Sequence, residues 1–379
     1  MNMSAPITIV GGNIAGLSAA WYLAKKGCPV TVYENKIWDK PCGGAISIEF
    51  AQYLQREPGI DIKALDQFIP GVKFAFSNGR YVETKGIFII TSRKNLQTRL
   101  INRLQKEPNI NIIFKRISKH NDSLFTPQTI LATGFSGFTK KILEDQWQHL
   151  EHAVTLKCEG TLDGASCPAS HLIVFDSRIN GYGWLFIQPD HTVNIGVGGL
   201  MDLSLLHQQY DEFVKFIRNR FDYHFTPKIR PQIWKVPILV NNWNTPVSFL
   251  KNNIEFIGVG DVLGLAHPFI AAGIEPAWQS GWLLGESFDP VAKRINTAQY
   301  RHLLKKNQQL TSRKKFDVIV ARLLRLNHFP YKDQLAFILL NILKNPIINK
   351  LKKYPWFAMV HDGNKKIRFF EPKNQVFPD

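Results

Sequence analysis

The sequence predicts a mixed α/β chain, α+β overall, in which a parallel-sheet domain carries a β-rich insertion and ends in a helical, basic segment. Three observations predict it. Within residues 7–34 a β-branched run, a glycine turn, a helical stretch and a second strand follow one another. Residues 150–245 contain alternating runs such as TVNIGVGG, the pattern of half-buried strands. Residues 291–379 hold 19 Lys/Arg against 5 Asp/Glu, a balance of +14 that leaves only +3 of the net +17 for the first 290 residues. The 379 residues, 45% apolar and 20% charged, with 26 Gly, 21 Pro and no low-complexity tract, have the composition of a folded protein long enough to bury a pocket.

The first strand is Ile7 to Val10, and IVGGNIAGLSAA (Ile9 to Ala20) follows with the spacing G-x-G-x-x-G, except that Asn13 replaces the middle glycine. Gly11 permits the tight turn, and Gly16 lets a helix over Ile14 to Lys26 approach the sheet before Gly27 stops it. Asn13 is expected in a left-handed backbone conformation, which asparagine tolerates better than other large residues. Pro29 to Tyr33 is the second strand. Glu34 closes it, 23 positions after Gly11, where a carboxylate accepts hydrogen bonds from a ribose 2′-OH and disfavours a 2′-phosphate. A helix N-terminus above such a turn holds a pyrophosphate. Gly11, Asn13, Ala15, Gly16 and Glu34 are therefore candidate contacts to the adenosine half of FAD or NAD in a Rossmann-like unit.

Val72 to Ile90 reads as two strands around Asn78-Gly79, an inserted hairpin. Ile254 to Glu286 reads as a strand leading to Gly260-Asp261, a Pro/Gly turn, and a long helix starting near Gly273. Here the chain resembles the glutathione-reductase-like flavoproteins of the aromatic-hydroxylase type, whose G-D motif places an aspartate on the ribitol of FAD. The resemblance implies FAD as cofactor, with Asp261 (after Gly260) as that aspartate and Gly273 with Ile274 at a helix N-terminus near the flavin. The expected domains are an FAD-binding domain over 1–149, with 246–290 returning to it, a β-rich substrate domain over 150–245, and the basic helical segment 291–379.

KPCGGAIS (Lys40 to Ser47) and GYGWLFIQPDHTVNIGVGG (Gly181 to Gly199) resemble the geranylgeranyl reductase group, FAD enzymes that saturate isoprenoid double bonds. The resemblance implies that Cys42, Gly43 and Gly44 lie along the isoalloxazine and that Tyr182, Trp184 and Phe186 line a lipid pocket. TSRKNLQTRLINRL is similar to the group's R-x-x-L-x-x-x-L helix start, making Arg93 a candidate FAD contact, although arginines on such helices are often solvated. The resemblance runs from residue 5 to about 290. Three departures stand out: Ile187 where the group has proline, Asn13, and ILATGFSG (Ile130 to Gly137), which lacks the aspartate of the G-D-G segment in hydroxylases. That segment is associated with nicotinamide access, so the electron donor, NAD(P)H or another reductant, stays open.

The function implied is an FAD-dependent oxidoreductase that reduces C=C bonds of an isoprenoid or similar hydrophobic lipid by hydride transfer from reduced flavin. Cys42, Tyr182 and Trp184 are the candidate catalytic residues. Two bland roles remain beside these: the strand aromatics as sheet core, and Cys42 as a filler between glycines. Two other functions keep the fold: a monooxygenase or halogenase-like enzyme on an aromatic or polyketide substrate, and a flavin-containing binding protein recruited to a membrane.

Apolar runs in the basic segment, LAFILLNIL (Leu335 to Leu343) and YPWFAMV (Tyr354 to Val360), fall short of the ~20 residues that span a bilayer. They fit a helix lying on an anionic membrane surface through residues 291–379, or an ordinary packing helix with a solvated basic face. No nucleic-acid motif accompanies the charge. The four cysteines form no C-x-x-C pair, Cys28, Cys158 and Cys167 are expected to be inert, and His149 with His152 lacks further ligands, so no metal is expected. With no secretory signal in view, the expected location is cytoplasmic, peripheral on the inner face of the membrane where the basic segment docks.

Overall fold

The computed structural model describes residues 6–61, 71–76, 81–84, 88–118, 121–144, 150–163, 168–175, 181–188, 190, 192–239, 246–268, 271–307 and 310. The turn at Asn78-Gly79, His149, Cys167 and the apolar runs of the basic segment lie outside the described residues. In chain order the elements are β1 (Ile7–Val10), α1 (Ile14–Lys25), β2 (Val30–Glu34), β3 (Ala45–Ser47), α2 (Ile48–Arg56), β4 (Gly71–Phe76), β5 (Tyr81–Thr84), β6 (Phe88–Ile90), α3 (Arg93–Leu104), β7 (Ile110–Phe114), β8 (Gln128–Leu131) and α4 (Gly137–Leu143). They continue with β9 (Leu150–Asp163), β10 (Ser170–Phe175), β11 (Tyr182–Ile187), β12 (Val193–Gly199), α5 (Leu206–Phe221), β13 (His224–Pro227), β14 (Gln232–Leu239), β15 (Ser248–Lys251), β16 (Ile254–Gly258), α6 (Ile274–Glu286), β17 (Phe288–Asp289), β18 (Arg294–Ile295) and α7 (Thr297–Lys306).

The first sheet has the order β15-β16-β8-β1-β2-β7, parallel throughout except for β15 at its edge. Its central strand β1 is buried at every position, as a strand covered on both faces must be. The helix α1 is apolar nearly all round, because it is pressed between this sheet and α6. Two glycines of α6 allow the approach: a Cβ on Gly281 would lie 2.6 Å from the Ala19 nitrogen, and one on Gly285 would overlap Tyr22. The Ser18 hydroxyl donates to the Trp278 carbonyl at 2.6 Å across the same seam.

The second sheet runs β13-β9-β12-β11-β10-β4-β5, with β14 also paired to β9. One face packs on α5 through Leu156, Leu185, Ile195, Phe213 and Ile217. The opposite face is aromatic, with Phe74, Phe76, Phe175, Trp184 and Phe186. Of the inserted hairpin expected over Val72 to Ile90, β4 and β5 form the end of this second sheet, β4 pairing in parallel with β10, while β6 pairs with β3. Val72, Phe74 and Phe76 alternate along β4, and extending the aromatic face is what buries them. No described helix is long and apolar enough to cross a membrane.

Candidate functional site

The glycine turn between β1 and α1 is held by sterics. Gly11 has φ 105°, and a Cβ there would lie 2.6 Å from the Ala132 carbonyl oxygen. A Cβ on Gly16 would overlap the carbonyl oxygen of Gly11, so the first turn of α1 closes on the loop only with glycine there. Asn13 corrects the expectation: its backbone is extended, at φ −97° and ψ −169°, not left-handed. The residue is there as the N-cap of α1, its Oδ1 accepting from the Ile14 N–H at 2.8 Å and from Arg93 Nη2 at 2.6 Å. Ala15, on the first turn, is buried.

Glu34 is buried at the end of β2, and both its oxygens are in use. Oε2 accepts from the Gly12 N–H at 2.9 Å and from Gln97 Nε2 at 3.2 Å; Oε1 accepts from the Asn35 N–H at 2.7 Å and from Trp38 Nε1 at 3.3 Å. Burial raises its pKa above the ordinary carboxylate value, although these donors pull the other way. Glu34 therefore pins the glycine turn to β2. A ribose hydroxyl would replace the longest of these bonds, the one from exposed Trp38. Gln97, which the sequence reading did not single out, also donates to the Gly12 carbonyl at 2.9 Å. Its signal was present: Arg93 and Gln97 are four residues apart on α3 and so share the face that meets the turn.

Arg93 is buried at the start of α3, behind the N-cap Ser92. Its Nη2 is spent on Asn13, while its Nε–H is buried without a partner. A buried guanidinium donor left open beside a glycine turn and a helix N-terminus fits the phosphate or ribose oxygens of a dinucleotide.

The acid turn meets this region directly. After β16 the chain enters a 3-10 turn over Gly260–Leu263, with Gly260 at φ 61°. A Cβ on Gly260 would stand 2.8 Å from that of Ala15, so the two predicted halves of the nucleotide site touch. The Gly260 N–H donates to Ser280 Oγ at 2.9 Å, which fixes the turn to α6. The Asp261 carboxylate lies beside the backbone of Gly134 and, 3.4 Å from where its Cβ would be, Gly273, the N-cap of α6 ahead of buried Ile274. Asp261 Oδ2 also accepts from Lys40 Nζ at 2.7 Å, and the same ammonium lies 5.2 Å over the Trp234 ring.

Lys40 begins the strap containing Cys42, Gly43 and Gly44. Gly44 is at φ 77°, where a Cβ would overlap the Thr91 carbonyl, and the strap runs directly against the aromatic face of the second sheet. A Cβ on Gly43 would fall 2.7 Å from the Phe186 ring and 3.5 Å from Trp184 Nε1. The Trp184 indole N–H donates to Asn194 Oδ1 at 3.0 Å, and Asn194 Nδ2 donates to the Cys42 carbonyl at 3.0 Å. Trp184 thus orients the strap through Asn194, a second residue the sequence reading missed. Tyr182, Trp184 and Phe186 share one face, in a ladder with ring centroids 5.8 and 6.3 Å apart. Trp184 and Phe186 are buried and Tyr182, at the end of the ladder, is half-buried. Burial, and Cys42 beside it, raise the Tyr182 hydroxyl above the ordinary tyrosine range. Among the other thiols, Cys28 is buried and its pKa is pushed up to about 11 by desolvation, and burial also raises that of Cys158.

Residues 9–65 match the family of NAD(P)-binding Rossmann-like domains. The digeranylgeranylglycerophospholipid reductase of Sulfolobus acidocaldarius is 22% identical over 247 residues, which are 55% of this chain and 54% of that protein. The chain thus spans about half the length of this curated relative. Among solved structures, a geranylgeranyl bacteriochlorophyll reductase-like protein from Thermoplasma acidophilum superposes with a TM-score of 0.61 at 16% identity, covering 87% of this chain and 94% of that one. The flavin-dependent brominase Bmp2 gives 0.65 at 13% identity, covering 93% and 92%. A probable FAD-dependent monooxygenase of Pseudomonas aeruginosa gives 0.60 at 14% identity, covering 85% and 97%. The chain shares its fold with a reductase-like protein, a flavin-dependent brominase and a probable FAD-dependent monooxygenase.

Proposed function

We propose that the chain binds FAD extended from the Gly11–Gly16 turn to Asp261 and reduces C=C bonds of an isoprenoid or similar lipid substrate. The observation that carries this reading is a pair of contacts: Gly260 on Ala15, and the Cys42–Gly44 strap on the Trp184 and Phe186 rings. Gly11, Asn13, Arg93 and the N-terminus of α1 would hold the pyrophosphate, Glu34 the ribose, and Asp261 the ribitol. When bound and reduced, a flavin supplies hydride to a substrate carbon. Tyr182, half-buried at the end of the ladder, would give its hydroxyl proton to the second alkene carbon and take one back from solvent, a step that burial makes harder by disfavouring the tyrosinate. Trp184 and Phe186 exclude water and orient the strap; in this reading Trp184 is a positioning residue, its N–H being committed to Asn194.

The second reading is a flavin monooxygenase or halogenase, favoured by the likeness to the brominase and the monooxygenase. Anaerobic photoreduction separates the two. In the first reading, a polyprenyl lipid loses a double bond with no oxygen present; a product formed only after oxygen is admitted decides for the second. A preparation that neither carries nor takes up FAD overturns both. Residues 291–379 would bring the enzyme to an anionic membrane from the cytoplasm, which flotation with anionic and zwitterionic vesicles tests.

A further inference from the structure

The aromatic face of the second sheet has one charged end. Trp184 on β11 pairs with Gly196 on β12, which pairs with Lys157 on β9, and directly paired residues in antiparallel strands project to the same side. Lys157 therefore faces the strap along with Trp184, whereas its neighbours Leu156 and Cys158 face α5. A Cβ on Gly196 would overlap the Trp184 indole, so the ring lies across β12 toward the strand of Lys157. In the next row Phe186 pairs with Asn194 and Asn194 with Glu159.

Lys157 is 4% exposed, among the few charged residues so deeply placed in the described chain. Its ammonium makes one ion pair, 2.7 Å to Glu159 Oε1, whose side chain is 32% exposed. An ammonium has three N–H donors. Within the described residues the other two meet no protein acceptor, and a desolvated donor without a partner is costly. Glu159, about a third exposed, holds Lys157 in place from the solvent side.

We propose that Lys157 is the polar anchor of the substrate chamber, taking the anionic end, phosphate or carboxylate, of a substrate whose apolar chain runs under Tyr182, Trp184 and Phe186. This rests on the reading that the aromatic face meets the substrate. The aromatics then choose an amphiphile, and Lys157 sets which way round it lies.

The test is binding followed by tryptophan fluorescence, with flavin content measured separately from the visible absorbance. The probes are farnesyl monophosphate, farnesol and inorganic phosphate. The native protein is expected to bind farnesyl phosphate about tenfold or more tighter than farnesol, and inorganic phosphate more weakly than either. Lys157→Met should erase the tenfold difference and leave farnesol binding unchanged, while Lys157→Arg keeps most of it. Equal affinity of the native protein for farnesyl phosphate and farnesol overturns the proposal, whatever the variants do. So does a Lys157→Met protein that keeps the preference. A flavin-loaded protein without the preference sinks this inference alone; a flavin-free protein that shows it, and loses it in Lys157→Met, sinks the cofactor reading and keeps the anchor.

Discussion

The two walls of the candidate site are built by different means. Around Gly11, Gly16 and Gly260 the wall is backbone, and its shape comes from places where no side chain fits. Around Cys42, Trp184 and Asn194 it is side chain, a chain of hydrogen bonds and stacked rings between segments about 150 residues apart. A backbone wall is rigid and intolerant, failing as a whole when one atom is added. A side-chain wall is graded: each group contributes one interaction, and removing it loosens the wall without destroying it.

Substitutions on each wall sharpen the contrast. The largest effect is expected from Gly16→Ala, whose methyl has no room beside the Gly11 carbonyl: a loss of about 3 kcal/mol or more, seen as a lowered thermal midpoint and loss of flavin from the purified protein. A mild phenotype there would mean that the turn is as adjustable as the aromatic wall, and the contrast would break.

Next comes His171, buried on the side-chain wall between Phe88 and Phe186. Its Nδ1 accepts from the Ile187 N–H at 3.1 Å, and its Nε2 is buried without a partner. Burial lowers its pKa from 6.5 to about 3. The folded protein therefore holds this ring neutral while the unfolded chain protonates it below 6.5. Its contribution is fully present above that pH and is lost as pH falls toward 3, about 2 kcal/mol of it by about pH 5. Denaturant titrations of the native protein and His171→Phe at several pH values check this: the variant should lose that slope, whatever its absolute stability.

A smaller effect, about 1–2 kcal/mol, is expected from Trp184→Phe, which keeps the ring but leaves Asn194 Oδ1 without its donor. Chemical denaturation measures the cost. Limited proteolysis near Cys42 should quicken if Asn194 loses its hold on the strap. The smallest is Gly27→Ala. Gly27 has φ 76° but open space around its Cβ position, so strain alone acts, about 1 kcal/mol. The difference between Gly16→Ala and Gly27→Ala then measures how much of a glycine's role is room and how much is backbone freedom.

The sequence by itself determined the backbone wall. Gly11, Gly16, Glu34 and the Gly260-Asp261 turn were legible because each is set by its own φ, its own missing Cβ or its place at a strand end, and local spacing records such constraints. The alternation of Tyr182, Trp184 and Phe186 was legible for the same reason, since a strand has a period of two. Tertiary structure alone decided the rest. Asn13 looked like a left-handed glycine substitute, but a helix start and Arg93 made it a cap. The strands at 71–84 looked local to the first domain, but their apolar face is buried only beside β10. Gln97, Asn194 and Lys40 acquire their partners across register and domain seams. A pairing between distant strands depends on which faces are left to bury once each sheet has formed, and no window of neighbouring residues contains that information.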